Sequence, residues 1–461
     1  MTRRDGGSAR AQCRERDGAS GARAECREAD VRGEADGFDD VLALVRDRPA
    51  PLPAGGHGDP HRPLAWPEAR VRAARAGRLA RGGRSHRVTA ERALGEALAE
   101  PLTALTDLPP FDTSAMDGWA VSGPGPWSVA DAASVLAGRA FADELPDGTA
   151  VRIATGARVP PEATAVIRSE HARRDDAGRL HAQQRVTQGQ DIRPRGQECR
   201  SGDQLLSAGT TVTPAVLGLA AAAGYDLLHT VPRPTVEVLV VGDELLTEGL
   251  PYDGLIRDAL GPMVAPWLRS LGAEVLGTRR VLDDADALYG AVTGSRADLV
   301  VTTGGTAAGP VDHVHPVLAK AGATLLVDGV SVRPGHPMLL AALEGGRHLV
   351  GLPGNPLAAV SGLLSLAAPL LRALSGRGEP APYHAPIADD LRGHPHDTRL
   401  VPFVHRAEAL EPVHFNGPAM LRGIAVADGL AVVPPGGVAP GTPVEVLDLP
   451  WTAPVQSGCF T

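Results

Sequence analysis

Three times in the second half of the chain an apolar run ends in a loop of small residues, and the sequence then turns helical. Residues 236–241 run into Gly242-Asp243-Glu244, and residues 298–301 into Thr302-Thr303-Gly304-Gly305-Thr306-Ala307-Ala308-Gly309. Residues 348–351 run into Leu352-Pro353-Gly354-Asn355-Pro356, and residues 357–374 are then almost continuously apolar. Short apolar runs alternating with helical patterns predict buried parallel strands with crossover helices, an α/β class. Loops that follow such strands gather at one sheet edge, where ligands bind. Glycines let backbone N–H groups approach a ligand and helix N-termini favour anions, so the expected site takes a phosphorylated or otherwise anionic small molecule.

Elsewhere the pattern is less regular. Trp66-Pro67-Glu68-Ala69-Arg70 opens a helical stretch. A second helix is expected over residues 89–100, with Thr89 as N-cap and Glu91 in its first turn, although Arg92 stands where a capping box needs Glu or Gln. Residues 108–190 alternate short apolar runs with Pro and Gly, which predicts a small β-rich module. Residues 191–232 read as a connector with one helix over 214–223, closed by Gly224. Beyond the break at residues 375–380, short strands and turns return over 383–452. Residues 1–61 carry no apolar periodicity and read as a disordered extension.

Composition narrows the choices. A chain of 461 residues exceeds one ordinary domain, and two to four are expected. Aromatic residues make up only 3% of it, so the cores must be built from Val, Leu and Ala. A formal net charge of -9 argues against nucleic acid or an anionic membrane as the main partner. The cysteines at 13, 26, 199 and 459 have no metal-binding spacing and suit a reducing cytoplasm. No apolar run reads as clean enough to span a bilayer, and no secretory signal opens the chain.

Several segments hold candidate chemistry. Residues 109–121 pack Asp112, Thr113, Ser114 and Asp117 between apolar flanks, a pattern that fits a network of side-chain turns as well as a site. Asp243-Glu244 directly follows a predicted buried strand; carboxylates there suit either a hydrated Mg2+ shared with phosphate oxygens or the N-terminus of a helix. Asp312 carries the same ambiguity. Arg333-Pro334-Gly335-His336-Pro337 is a rigid turn able to clamp an oxyanion, though such turns are more often simply solvated. Glu198 alone, after a glycine turn, reads as surface.

Taken in order, these segments resemble the molybdopterin molybdenumtransferase family, MoeA, related to the E domain of gephyrin. Residues 111–121 look like its PxFDNSAMDGYAV stretch, and residues 152–160 resemble RIxTGAxxP. Residues 192–196 with Gly202-Asp203 and Ala208-Gly209-Thr210 resemble the IRxxGxD segment and its continuation. Residues 241–245 resemble TGDEL, 304–312 GGxSxGxxD and 334–337 PGKP, while 352–356 are LPGNP unchanged. The resemblance covers about residues 64–452.

It implies a three-layer α/β/α molybdopterin-binding domain (233–376), a split linker domain (62–107 and 191–232), an inserted β module (108–190) and a C-terminal β-barrel-like domain (383–452), in a homodimer. It also implies insertion of molybdenum from molybdate into adenylylated molybdopterin with release of AMP, aided by Mg2+. Carried over residue by residue, Asp117, Asp243, Glu244 and Asp312 match acids of the cleft, with Asp243 and Asp117 toward the metal. Thr155 and Gly156 match a small loop facing it, and Gly304, Gly305, Gly354 and Asn355 match pterin-binding loops. Arg333 and His336 match the molybdate-binding turn, and Arg406 a C-terminal-domain arginine near the oxyanion.

The chain departs from the family where many members have Glu then Asp: it has Gln197 then Glu198, so Glu198 has to supply the charge that Gln cannot. Ala307 replaces a serine and His336 a lysine, and Asp258-Ala259-Leu260 stands in place of Asp-Ser-Asn. Two alternatives follow: a molybdopterin adenylyltransferase acting one step earlier, whose GGTG and PRD patterns Gly304-Gly305-Thr306 and Pro310-Val311-Asp312 partly resemble, or a non-catalytic pterin-binding paralogue.

Overall fold

The computed structural model describes residues 63–130, 144–306, 313–406 and 409–451. The extension over 1–61 and Asp312 lie outside the described residues.

The three apolar runs form adjacent strands of one six-stranded sheet. Its strands are β1 (Thr235–Val241), β2 (Glu274–Val281), β3 (Leu299–Thr303), β4 (Thr324–Asp328), β5 (Leu339–Ala342) and β6 (His348–Leu352), in the order β2-β1-β3-β6-β5-β4. β1, β2, β3 and β6 are parallel, whereas β5 runs antiparallel to both β6 and β4. Both faces of β1 are buried. Val236, Val238 and Val240 point into a core shared with the helices at Leu260–Ser270 and 356–374. Leu239 and Val241 point into another, shared with the helices Ala285–Gly294 and Val314–Lys320. This double burial makes three layers and explains why the strand sequences are continuous rather than alternating.

The helix at 356–374 corrects one expectation, because it is long and apolar enough to cross a membrane by length and composition. It is instead a core helix, 89% buried. It packs on the helix Trp66–Arg81, whose Ala69, Ala73 and Ala76 face it. A Cβ at Gly77 would lie 2.4 Å from the Leu370 carbonyl oxygen, so only glycine permits this approach. At Leu363–Ala367 the helix widens into a π turn, which frees backbone groups. There Arg70 Nη1 donates to the Leu364 carbonyl at 2.7 Å, and Trp66 Nε1 donates to the buried Ser365 Oγ at 2.9 Å.

The helix expected over 89–100 shrinks to Ala90–Ala93 between the strands His86–Thr89 and Ala97–Leu98. Thr89 makes no capping bond through its side chain, and Gly95 takes φ +80°. Pairing of residues 86–89 and 97–98 with the strand Leu227–Val231 outweighed local helix propensity here. Those pairings, with Gln204–Leu206 on Leu102–Thr103, join the segments on either side of the inserted module. The module itself is a four-stranded sheet of Ser128–Val129, Thr149–Ile153, Gly118–Val121 and Ala165–Arg168.

The C-terminal sheet has seven strands and extends beyond residues 383–452. Leu64–Ala65 and Val330–Arg333 pair in series onto Thr398–Arg406. Val330–Arg333 lies between β4 and β5 in sequence, yet belongs to the C-terminal sheet.

Candidate functional site

The loops after β1, β3 and β6 meet at one edge of the α/β sheet. Gly304 N donates to the Leu352 carbonyl at 2.8 Å, tying the second loop to the third. Gly304 and Gly305 have φ of +84° and +66°, a conformation in which L side chains are strained. A Cβ at Gly304 would stand 3.3 Å from the Val241 carbonyl, and one at Gly354 would stand 3.8 Å from Gly304 Cα. Gly354 and Asn355 are exposed at the mouth. Asn355 precedes Pro356 at the helix start and makes no capping bond with its side chain. One expectation fails at this helix. The N–H groups of Leu357 and Ala358 both donate to the Pro418 carbonyl, at 2.9 and 3.3 Å, so these donors do not face an anion.

Asp243 and Glu244 are exposed beside these glycines. Gly242 turns the chain with φ +145°. Asp243 N donates to Asp283 Oδ2 at 3.1 Å, and Asp283 N to Asp243 Oδ1 at 3.4 Å. Arg280 Nη2 donates to the carbonyls of Gly242 and Asp243, at 3.0 and 3.2 Å. Among the described residues no three His, Cys, Asp or Glu side chains converge as a metal site. Asp243 Oδ2 accepts no hydrogen bond among those residues, which fits a Mg2+ site of few carboxylates completed by substrate oxygens and water.

Asp117, Thr155 and Gly156 form a second group on the inserted module. Thr155 N donates to Asp117 Oδ1 at 2.6 Å, and Gly156 N donates to the Ser114 carbonyl at 2.8 Å. The Thr155 backbone N–H first, and its hydroxyl second, hold the Asp117 carboxyl below the usual aspartate range. The strand that follows forces glycine at 118, because a Cβ there would lie 2.0 Å from the Ile167 carbonyl oxygen. Among the described residues no hydrogen bond or ion pair joins this group to Asp243 or the glycine loops. Gln197 and Glu198 are exposed; Glu198 N is anchored to the Leu108 carbonyl at 2.8 Å.

Arg333 and His336 sit on the turn that leaves Val330–Arg333. Arg333 Nε donates to Asp397 Oδ2 at 2.8 Å, while its side chain stays 52% exposed. His336 Nδ1 lies 2.9 Å from the Val330 carbonyl oxygen, which can only accept, so Nδ1 carries the proton. A neutral His336 therefore presents a lone pair at Nε2, and only the cation could donate to an oxyanion there. Arg406 ends the strand Thr398–Arg406 and bonds Glu411 at 3.3 Å, exposed.

Comparison with known proteins agrees with this architecture. Family models match the MoeA N-terminal region (domain I and II) over residues 66–224, a probable molybdopterin binding domain over 237–373 and the MoeA C-terminal region (domain IV) over 384–449. Molybdopterin molybdenumtransferase 2 of Mycobacterium tuberculosis (strain ATCC 25618 / H37Rv) is 36% identical over 383 residues, covering 77% of this chain and 93% of that protein. This chain belongs to the MoeA family. The molybdopterin molybdenumtransferase of Staphylococcus aureus (strain COL) is 29% identical over 386 residues, covering 78% of the MoeA-family chain and 90% of its own length. The crystal structure of the molybdopterin biosynthesis MoeA protein from Pyrococcus horikoshii OT3 shares the fold, with a TM-score of 0.68 at 20% identity over 84% of this chain and 100% of that one.

Sequence reasoning missed the residues that hold the others in place. Asp397 restrains Arg333 from 64 positions away, and Arg280 and Asp283 restrain the Asp243 loop. The acidic pair at 283–284, just past a strand end, was the one local signal for the latter.

Proposed function

We propose that this chain inserts molybdenum from molybdate into adenylylated molybdopterin and releases AMP. As a MoeA-family protein it is an enzyme of molybdenum cofactor biosynthesis, a molybdopterin molybdenumtransferase. The observation that carries the finer reading is the glycine-walled edge at Gly304, Gly305 and Gly354 with the exposed Asp243 carboxylate beside it. Backbone at that edge can approach a pterin phosphate, and Asn355 offers a side-chain amide with no competing cap.

In this reading Asp243 and Asp117 would hold a Mg2+, which supplies charge neutralisation on the substrate's phosphate oxygens. Glu244, Glu198 and Asp312 supply further acids of the cleft, Thr155 fixes the orientation of Asp117, and Gly156 continues the small loop beside it. Arg333 supplies the cationic donor for molybdate, with His336 and Arg406 as secondary contacts. The protein works as a homodimer in the cytoplasm, which mass measurement in solution and fractionation test.

The deciding experiment gives purified protein adenylylated molybdopterin, Mg2+ and molybdate and follows AMP. Molybdate-dependent AMP release supports the proposal. Consumption of ATP with molybdopterin alone would reassign it as an adenylyltransferase. Binding of the adenylylated substrate without AMP release would make it a pterin-binding paralogue, the reading favoured by the tied-back His336. Asp243→Asn is expected to fold normally and to lose most AMP release. Normal turnover of that variant at limiting Mg2+ would remove Asp243 from the site.

A further inference from the structure

The loop that carries Asp243 has no helix of its own to hold it. After Glu244 the chain runs out to Leu245–Leu246, which pairs with Ile256–Arg257, and the next helix begins only at Leu260. The support comes instead from β2, the edge strand beside β1. Register places Arg280 beside Val240 and Val281 beside Val241, so β1 and β2 end level, and the Arg280 side chain and the residues just after β2 lie against the loop. From there Arg280 takes two successive carbonyls with one nitrogen, and Asp283 exchanges bonds with both the amide and the carboxylate of Asp243.

We infer that Arg280 and Asp283 are positioning residues that set the direction of the Asp243 carboxylate, an inference that rests on the role proposed for Asp243 above. The geometry divides the work. Asp283 N engages Oδ1 of Asp243 and leaves Oδ2 without a hydrogen bond among the described residues, while Asp283 Oδ2 accepts the Asp243 N–H so that this donor does not compete for the carboxylate. Arg280 pins the peptide planes on either side of Asp243 Cα, removing the rotation that would swing the side chain away. Its positive charge also offsets the acids at 243, 244 and 283. A cage that orients a reacting group is worth about 10- to 100-fold in activity when one partner is removed.

The test compares Arg280→Ala, Arg280→Lys, Asp283→Ala and Asp283→Asn with Asp243→Asn in the AMP-release assay. Arg280→Ala and Asp283→Ala are expected to lower kcat about 10- to 100-fold with KM for the adenylylated substrate within about twofold. Asp283→Asn should retain most activity, since an amide oxygen still accepts the Asp243 N–H, and Arg280→Lys should recover part. The second readout needs no turnover: a glutamate-specific protease should cut after Glu244 and Glu248 faster in Arg280→Ala than in the parent, at an unchanged melting temperature. If Asp283→Asn is as poor as Asp283→Ala, the Asp283 carboxylate acts directly and the positioning role is overturned. If Asp243→Asn is inactive while both alanine variants keep kcat, the inference fails and the role of Asp243 stands. If Asp243→Asn is fully active, that role fails, and the protease rates decide: faster cutting keeps the clamp, equal cutting overturns it.

Discussion

Gly354→Ala separates a glycine kept for a ligand from one kept for the fold. Gly354 is exposed, its φ lies outside the left-handed region, and the nearest atom to an added Cβ is Gly304 Cα at 3.8 Å, an ordinary contact. Alanine at such a position removes freedom from the unfolded chain and stabilises by about 0.4–1 kcal/mol. Gly304 gives the opposite result. Its φ of +84° costs an L residue about 1–2 kcal/mol, and its Cβ would press to 3.3 Å on the Val241 carbonyl. Gly304→Ala should therefore melt several degrees lower, and Gly354→Ala should melt at or slightly above the parent. If the substrate phosphate or pterin rests on this backbone, the methyl of Gly354→Ala displaces it. Overpacking costs about 1–3 kcal/mol, and each 1.4 kcal/mol is about tenfold in affinity. The assay pairs thermal melting with the substrate dependence of AMP release. An unchanged KM in Gly354→Ala would refute ligand contact at that loop, and an unchanged melting temperature in Gly304→Ala would refute the conformational argument.

Three further outcomes are expected. His336→Lys puts a cationic ammonium with three donors where a ring is tied through Nδ1 to the Val330 carbonyl, so the molybdate concentration for half-maximal AMP release should fall; no change, or a rise, would exclude residue 336 from oxyanion contact. For Asp117, whose carboxyl is held below its usual range, the stabilisation is complete above the ordinary aspartate value and is lost as pH falls through the depressed one. Thr155→Val keeps the N–H but deletes the hydroxyl, so an NMR titration should show the Asp117 midpoint moving upward, toward ordinary aspartate. Ser365→Ala strands the buried Trp66 N–H and should cost about 1–3 kcal/mol in denaturant unfolding, whereas an unaffected midpoint would mean that a water replaces the hydroxyl.

The α/β sheet was legible because β1, β3 and β6 are largely buried on both faces, so their sequences are nearly continuous apolar runs, interrupted in β1 by Glu237, that need no partner to be recognised. The helix at 356–374 was visible for the same reason, and the very continuity that revealed it also matches the composition of a membrane span. The short helix at Ala90–Ala93 was over-extended because its limits are set by pairing with Leu227–Val231, more than a hundred residues away. The site divides along the same line. Glycines that need positive φ and an acid placed after a buried strand mark themselves locally. Their holders, Asp397, Arg280 and Asp283, are ordinary surface charges until the fold brings them into reach.

The strand Val330–Arg333 leaves the α/β domain between two of its own strands to join the C-terminal sheet, and the Arg333–His336 turn hangs from its end. Those basic residues are thus suspended at a seam, anchored by backbone on one side and by Asp397 on the other, while the glycine edge belongs wholly to the α/β sheet. A cut at the loop around residue 380 would not yield two independent modules, since it would strip a β-partner from Val330–Arg333. Any pivoting of the C-terminal sheet carries the cationic turn with it, so the spacing between the Arg333–His336 turn and the glycine edge is set by how two domains are sewn together.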